Sequence, residues 1–306
     1  MRSVTRTLYP LGFPVEIASD SRETFECAEE SWGHYSQQFK RPPVRVTITV
    51  RRATAEPAPE PSYHLEDGRL TIFSDADHHA VCDLRSRSGY CHTSPQILAD
   101  RAWFRWFYLE AMVYTLLTQE DIVPVHAACV AHQEKGVLLC GVSGAGKSTL
   151  AYACARAGWT FVADDAAILL QGSRTREVLG KPFQFRFRPE AVELFPELRG
   201  HGTYIRPNGK PTVEVPTDGF PIQIASRCRI EKVVFLNRNM GGVPGLHAVA
   251  GCKAVEQLLG DAPAYAPEVR RRHEETILNL ITVPAYELEY SGFEEALELL
   301  SRLVKQ

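Results

Sequence analysis

Eight consecutive residues near the middle of the chain could grip a phosphate: Gly141-Val142-Ser143-Gly144-Ala145-Gly146-Lys147-Ser148. They fit G-x-x-x-x-G-K-[ST], the Walker A pattern. Glycines let the main chain close on an anion and take conformations that a Cβ forbids. Successive N–H groups then face one concavity, and the positive end of a helix dipole adds to it. In such a loop Lys147 reaches the β- and γ-phosphates and Ser148 holds Mg²⁺, while Gly141, Ser143, Gly144, Ala145, Gly146 and Thr149 surround the phosphate chain. With ordinary residue usage the pattern arises by chance in roughly one chain in a hundred of this length. The bland alternative is a glycine-rich strand-to-helix turn with a surface lysine.

Two acids follow at a short distance, Asp164-Asp165, closing the apolar run Thr160-Phe161-Val162-Ala163. Phosphoryl transfer needs positioning and charge neutralisation more than covalent chemistry. Mg²⁺ takes few protein ligands, often one hydroxyl and one carboxylate. One acid can join Ser148 there, and the other can accept the proton of an attacking hydroxyl. The alternative is a pair of turn residues capping the next segment. His126 sits in an apolar run, Val125 to Ala131, where a lone histidine is as readily a hydrogen-bonded structural residue. His78-His79 resembles a metal pair, but adjacent strand residues point to opposite faces, so they read as solvated loop histidines.

The elements that must position these groups are legible around them. Gly136 to Cys140 reads as a buried strand, and Thr149 to Ala157 as a helix stopped by Gly158. Val125 to Ala131, the turn His132 to Lys135 and the loop strand form a hairpin, which implies a mixed sheet. If Thr160 to Ala163 lies parallel and adjacent to the loop strand, its acids open beside the phosphates. Residues 1 to 94 look β-rich, with alternation in Val44 to Val50 and a hairpin turn at Glu66-Asp67-Gly68; Ala55 to Pro61 is a loop. Ser94-Pro95 starts a helix running to Thr118, apolar nearly all round and expected between the two halves. Gly200 to Phe220, rich in Gly and Pro, reads as a long mobile loop suited to a lid. Ser291 caps the last helix, with Glu294 closing a capping box. The expected division is 1–94 as a β-rich domain able to hold a partner, 95–122 as a connecting buried helix, and 123–306 as the catalytic domain.

Composition bounds the rest. The 306 residues are 44% hydrophobic and 23% charged, so a proper core is expected. A net charge of −3 gives no general reason to expect nucleic acid or an anionic membrane as partner. The eight cysteines contain no C-x-x-C pair and read as reduced core thiols. No signal peptide is evident behind Met1, and Ala102 to Leu117 is too short and too charged to span a bilayer, so the expectation is a cytoplasmic protein. Oligomeric state stays open, a homo-oligomer included.

The run from His126 to Asp165 resembles the catalytic core of the HPr kinase/phosphorylase family and its relatives, among them the kinases of lasso-peptide biosynthesis. The likeness is carried by Val125-His126-Ala127, the GVSGAGKS loop, Arg156-Ala157-Gly158 and Val162-Ala163-Asp164-Asp165. It implies an α/β, phosphoenolpyruvate-carboxykinase-like mixed-sheet core and an ATP- and Mg²⁺-dependent kinase acting on a serine hydroxyl. It further implies that Lys147 binds phosphate, Ser148 holds metal, Asp164 is the base, Asp165 is the metal-side acid and His126 sits beside the phosphates. A basic residue ahead of a later strand reaches the phosphates in that family, and Arg227 or Arg229 is the nearest equivalent. Ala127 and Thr149 stand where HPr kinase proper has Gly and Glu, and the layout is nearer the peptide-tailoring relatives. A peptide or protein acceptor is therefore expected. A kinase of free serine or a similar metabolite, and a nucleotide-dependent regulatory module, remain as alternatives.

Overall fold

The computed structural model describes residues 3–53, 58–207, 209–260 and 265–305. The expected loop from Ala55 to Pro61 therefore lies partly outside the described residues. The chain divides into two compact units, Met1–Asp121 with Arg206–Gly209, and Ile122–Ile205 with Lys210–Gln306. The protein is mixed α/β, and both of its large sheets mix parallel and antiparallel pairs.

The first unit is built on strands Val4–Leu8 (β1), Val15–Ser19 (β2), Val44–Val50 (β3), Ser62–Glu66 (β4), Arg69–Phe73 (β5), His79–Asp83 (β6) and Ser88–Thr93 (β7). Their order across the sheet is β1-β2-β3-β7-β6-β5-β4. The alternation in β3 buries Val44, Val46 and Ile48 and exposes Arg45 and Thr47, as a sheet with one covered face requires. Part of that cover is a helix absent from the sequence reading, Arg22–Trp32 (α1), which buries Phe25, Cys27, Ala28 and Trp32. The helical run from Ser94 is also not continuous. It breaks once, after Pro95–Ala99 (α2), and then runs on through Arg101–Phe104 (α3), a π-helical segment over Arg105–Leu109 and Glu110–Leu117 (α4) with helical backbone at each junction. Asp100, with φ −86° and ψ 78°, ends α2 and caps α3 by accepting from the Trp103 N–H.

His78 corrects the reading of solvated histidines. It is 1% exposed. Its Nδ1 lies 2.9 Å from Asp75 Oδ1 and its Nε2 2.9 Å from Ser94 Oγ. Buried polar groups must be paired, and this relay ties the β5–β6 turn to the start of α2.

The second unit contains Ile122–Val125 (β8), Ala127–His132 (β9), Lys135–Cys140 (β10), Lys147–Arg156 (α5), Thr160–Ala163 (β11), Ala167–Leu170 (β12), Glu177–Leu179 (β13) and Gln184–Phe187 (β14). These are followed by Ala191–Leu194 (α6), Thr203–Ile205 (β15), Pro211–Pro216 (β16), Gln223–Ile224 (β17), Arg227–Arg238 (β18), Gly245–Val249 (β19), Gly251–Leu259 (α7), Pro267–Leu280 (α8), Ala285–Tyr290 (β20) and Phe293–Lys305 (α9). The main sheet runs β17-β11-β9-β10-β18-β13-β12-β8, with β20 joining β18 and β19 joining β20. One face packs on α5 and α9 through Leu150, Tyr152, Ala296 and Leu300. The other packs on α7 and α8 through Ala254, Leu258, Ile277 and Leu280.

Three local expectations change. β11 is not beside β10: it pairs antiparallel with β9, which pairs antiparallel with β10, so β11 and β10 run parallel with β9 between them. The hairpin turn that makes this possible places Gln133 at φ 49° and Glu134 at φ 67°, the double left-handed geometry that suits strand twist. The Gly200 to Phe220 stretch is not one long loop. β15 and β16 lie within it and join β14 in a separate sheet ordered β14-β16-β15. At the last helix it is Glu295, not Glu294, that takes the bonds from the Ser291 hydroxyl and the Gly292 N–H.

Candidate active site

The loop after β10 is shaped by three left-handed or open glycines, Gly141 at φ 149°, Gly144 at φ 93° and Gly146 at φ 94°. Gly146 occupies the cap position of α5, and no side chain caps that end. The first N–H groups of a ten-residue helix are thus left to a ligand or to water. Gly146 also lacks room for anything larger: a Cβ there would fall 2.6 Å from Tyr290 Oη. Tyr290, at the end of β20, donates its hydroxyl to the Ala145 carbonyl at 2.7 Å and so holds the middle of the loop. Lys147 is 6% exposed, and its Nζ donates to the Gly141 carbonyl at 2.7 Å and the Val142 carbonyl at 3.3 Å. An ammonium parked on loop carbonyls stands within the concavity that an anion would enter.

At the end of β11 the chain reverses sharply. The Ala166 N–H donates to the Asp164 carbonyl at 2.7 Å across Asp165, whose φ is +66°. A three-residue reversal with a left-handed centre is rare and strained. It sends the two carboxylates to different partners. Asp164 Oδ2 accepts from the Arg186 N–H at 2.9 Å, while Oδ1 is buried with no hydrogen-bond partner. Burial pushes Asp164 up to about 6; the Ser148 hydroxyl and the Arg186 N–H pull the other way, and Asp165 adds to the rise. Asp165 instead lies 3.5 Å from His126 Nε2 through its Oδ1, and both side chains stay open to solvent, at 47% and 41%.

Sheet register explains the convergence. Ala127 of β9 faces Cys140 of β10, so His126 stands at the level of Gly141. Ala163 of β11 faces Cys129 on the other side of β9. His126, Lys147, Ser148, Asp164 and Asp165 therefore gather at one end of three neighbouring strands. Arg227 does not join them. It opens β18, and Lys135 faces Arg229 in that pairing, so Arg227 lies at the opposite end of β10 from the loop. There it pairs with Glu177 at 3.6 Å, and Arg229 pairs with Glu231 at 3.2 Å.

Two arginines at the loop end were missed from sequence. Arg188, just past β14, donates from Nη2 to Ser143 Oγ at 3.3 Å. Arg238 closes β18 at the correct end and lies 5.4 Å over the Phe293 ring. A register assignment was the signal that could have found Arg238. Nothing local separates Arg188 from Arg186.

The residues fit the groups that such a loop implies. Among the described residues no cluster of three His, Cys, Asp or Glu forms a closed metal cage. Mg²⁺ does not need one, and the unpartnered buried Oδ1 of Asp164 and the Ser148 hydroxyl are the kind of hard oxygen donor it prefers. The uncapped α5 terminus and the glycine curvature fit a phosphate chain.

A protein family described as SynChlorMet cassette protein ScmC matches residues 90–183, the segment that holds His126, the loop and both acids. No curated protein matches the chain. Among solved structures it is similar to the Hpr(Ser) kinase/phosphatase from Coxiella burnetii, at 14% identity and a TM-score of 0.31, over 60% of this chain and 98% of that one. At that score the likeness carries no argument about activity, which rests on the residues above.

Proposed function

We propose that this chain is an ATP- and Mg²⁺-dependent kinase that transfers a phosphoryl group to a serine-type hydroxyl of a peptide or protein. The observation that carries the reading is the sheet register that brings the head of α5 and the end of β11 to one end of the neighbouring strands β10, β9 and β11. It joins the glycine loop to the acid pair, which a mere structural turn would not require.

The roles follow from the contacts. The N–H groups of the Gly141–Gly146 loop and the head of α5 cradle the phosphates, and Lys147 shifts from loop carbonyls to phosphate oxygens. Ser148 and Asp164 would hold Mg²⁺, which when bound neutralises charge on the phosphate chain. Asp165, half open beside His126, would take the proton as the hydroxyl oxygen forms its bond to phosphorus and the bond to the leaving diphosphate breaks. This divides the acids in the opposite sense to the sequence expectation, which made Asp164 the base. The reason is access: Asp164 has one oxygen bonded to the Arg186 N–H and the other buried, whereas Asp165 faces solvent.

That openness also favours a bulky acceptor over a metabolite, since a small substrate is better served by a closed pocket. The matched family's description as a cassette protein makes products of neighbouring genes the first acceptors to try. The test is incubation of the purified chain with γ-labelled ATP, Mg²⁺ and those products, with mass spectrometry of the acceptor. Label appearing on free serine instead would replace the peptide reading. Calorimetry showing no nucleotide binding with Mg²⁺ present would remove the kinase reading altogether.

A further inference from the structure

We propose that Arg188 is the residue that grips the terminal phosphoryl group and stabilises its charge during transfer, an inference that rests on the nucleotide reading above.

Arg188 leans on the first half of the glycine loop. Its Nη2 bonds Ser143 Oγ, and a Cβ on Gly144 would come within 3.3 Å of that nitrogen. Its place is fixed from both sides. Two residues earlier the Arg186 N–H is bonded to Asp164, and the Arg188 carbonyl accepts from the Ala191 N–H at 3.0 Å. One short stretch of chain therefore touches both the acid pair and the loop.

Charge pairing separates Arg188 from Arg186, Arg227 and Arg229, and Arg238 is engaged over the Phe293 ring. Arg186 is paired with Glu214 at 2.6 Å, Arg227 with Glu177 and Arg229 with Glu231. Among the described residues no carboxylate pairs with Arg188. An unneutralised guanidinium beside an anion cradle is arranged for an anion. Lys147 is buried against Gly141 and Val142, whereas Arg188 is exposed at the rim formed by Ser143 and Gly144. A phosphate chain seated on the α5 terminus would meet the lysine within the loop and the arginine at its outer end. The planar guanidinium presents a fork of donors that matches phosphoryl oxygens. A fixed cation at that point opposes the charge that spreads over the transferring group. Supplied by the chain itself, it requires no partner protein to complete the site.

The test compares wild type, Arg188→Ala and Arg188→Lys by calorimetry with Mg²⁺ and either ADP or a non-hydrolysable ATP analogue. Slow hydrolysis of ATP to water supplies a rate that needs no acceptor. Wild type should prefer the triphosphate. Arg188→Ala should lose about tenfold in triphosphate affinity with ADP affinity nearly unchanged, and hydrolysis should fall on the order of a hundredfold or more. Arg188→Lys should recover only part, because a point charge lacks the fork. Equal losses for both nucleotides would show that Arg188 only shapes the loop through Ser143, and would overturn the proposal. No change for either would overturn it as well. If wild type binds neither nucleotide, the reading beneath it fails instead. Thermal melts, expected to coincide for these exposed-site variants, separate loss of fold from loss of contact.

Discussion

Tyr290 and Ala145 are 145 residues apart in sequence, yet the tyrosine hydroxyl donates to the alanine carbonyl at 2.7 Å. The last strand of the sheet thereby holds the glycine loop in shape before any ligand arrives. Tyr290→Phe should loosen the loop at a cost of about 1 kcal/mol in stability, with a several-fold weaker nucleotide affinity. Gly146→Ala should be far worse, since it meets both a φ of +94° and the Tyr290 hydroxyl at 2.6 Å. Thermal melting beside nucleotide titration checks both, and the double variant should recover part of the Gly146→Ala loss if the hydroxyl is the obstacle.

Lys147→Ala should abolish turnover and weaken nucleotide binding by at least tenfold, while the folded state persists through the apolar contacts of α5. The expectation follows from an ammonium already held in the concavity by the Gly141 and Val142 carbonyls. Turnover at the wild-type rate would count against the loop.

Asp164 should be a liability to stability in the free protein. Folding raises it from 3.8 to about 6, chiefly through burial, with Asp165 adding to the rise and Ser148, the Arg186 N–H and the Arg186 charge opposing it. The folded protein therefore holds this proton more tightly than the unfolded chain does. As pH rises from about 4 through about 6 the carboxylate must ionise in its buried place, and stability falls. Asp164→Asn should raise neutral-pH stability by up to about 3 kcal/mol and flatten that part of the pH profile. The same variant should lose Mg²⁺-dependent nucleotide affinity. Denaturant midpoints at pH 4.5 and 7.5, taken without Mg²⁺, decide the stability part.

Asp165→Gly separates strain from chemistry. Glycine accepts a φ of +66° without penalty, so relief of roughly 1 kcal/mol in stability is expected. Phosphoryl transfer should fall steeply while Mg²⁺ and nucleotide still bind. A variant that transfers at the wild-type rate would return the base role to another group.

The parts of this site that sequence showed are those encoded locally. The glycine loop, its flanking strand and helix, and the acids at the end of β11 each sit within a few residues of their own signals. What sequence hid depends on pairing between distant segments. Nothing in Thr160 to Ala163 announces that β9 separates it from β10. The Gly- and Pro-rich look of residues 200–220 concealed β15 and β16, because they pair with each other and β16 pairs with β14, which lies upstream beyond α6. His78 read as solvated because its partners Asp75 and Ser94 come together only when β6 and β7 pair. Arg227 and Arg229 are the basic residues that the sequence offers ahead of this strand, and only the β10–β18 register shows that Arg238, at its other end, is the one on the loop side.

The insertion of β9 between the loop strand and the acid strand makes the reactive groups a portable block. Histidine, glycine loop and acid pair ride on three adjacent strands that are also consecutive in the chain, from His126 to Asp165. Grafting the glycine loop alone onto another scaffold would leave its chemistry behind. Transplanting the whole forty-residue hairpin-plus-helix segment would carry every group but the bracing phenol, the Arg186 amide and the rim arginine, which the host would then have to provide.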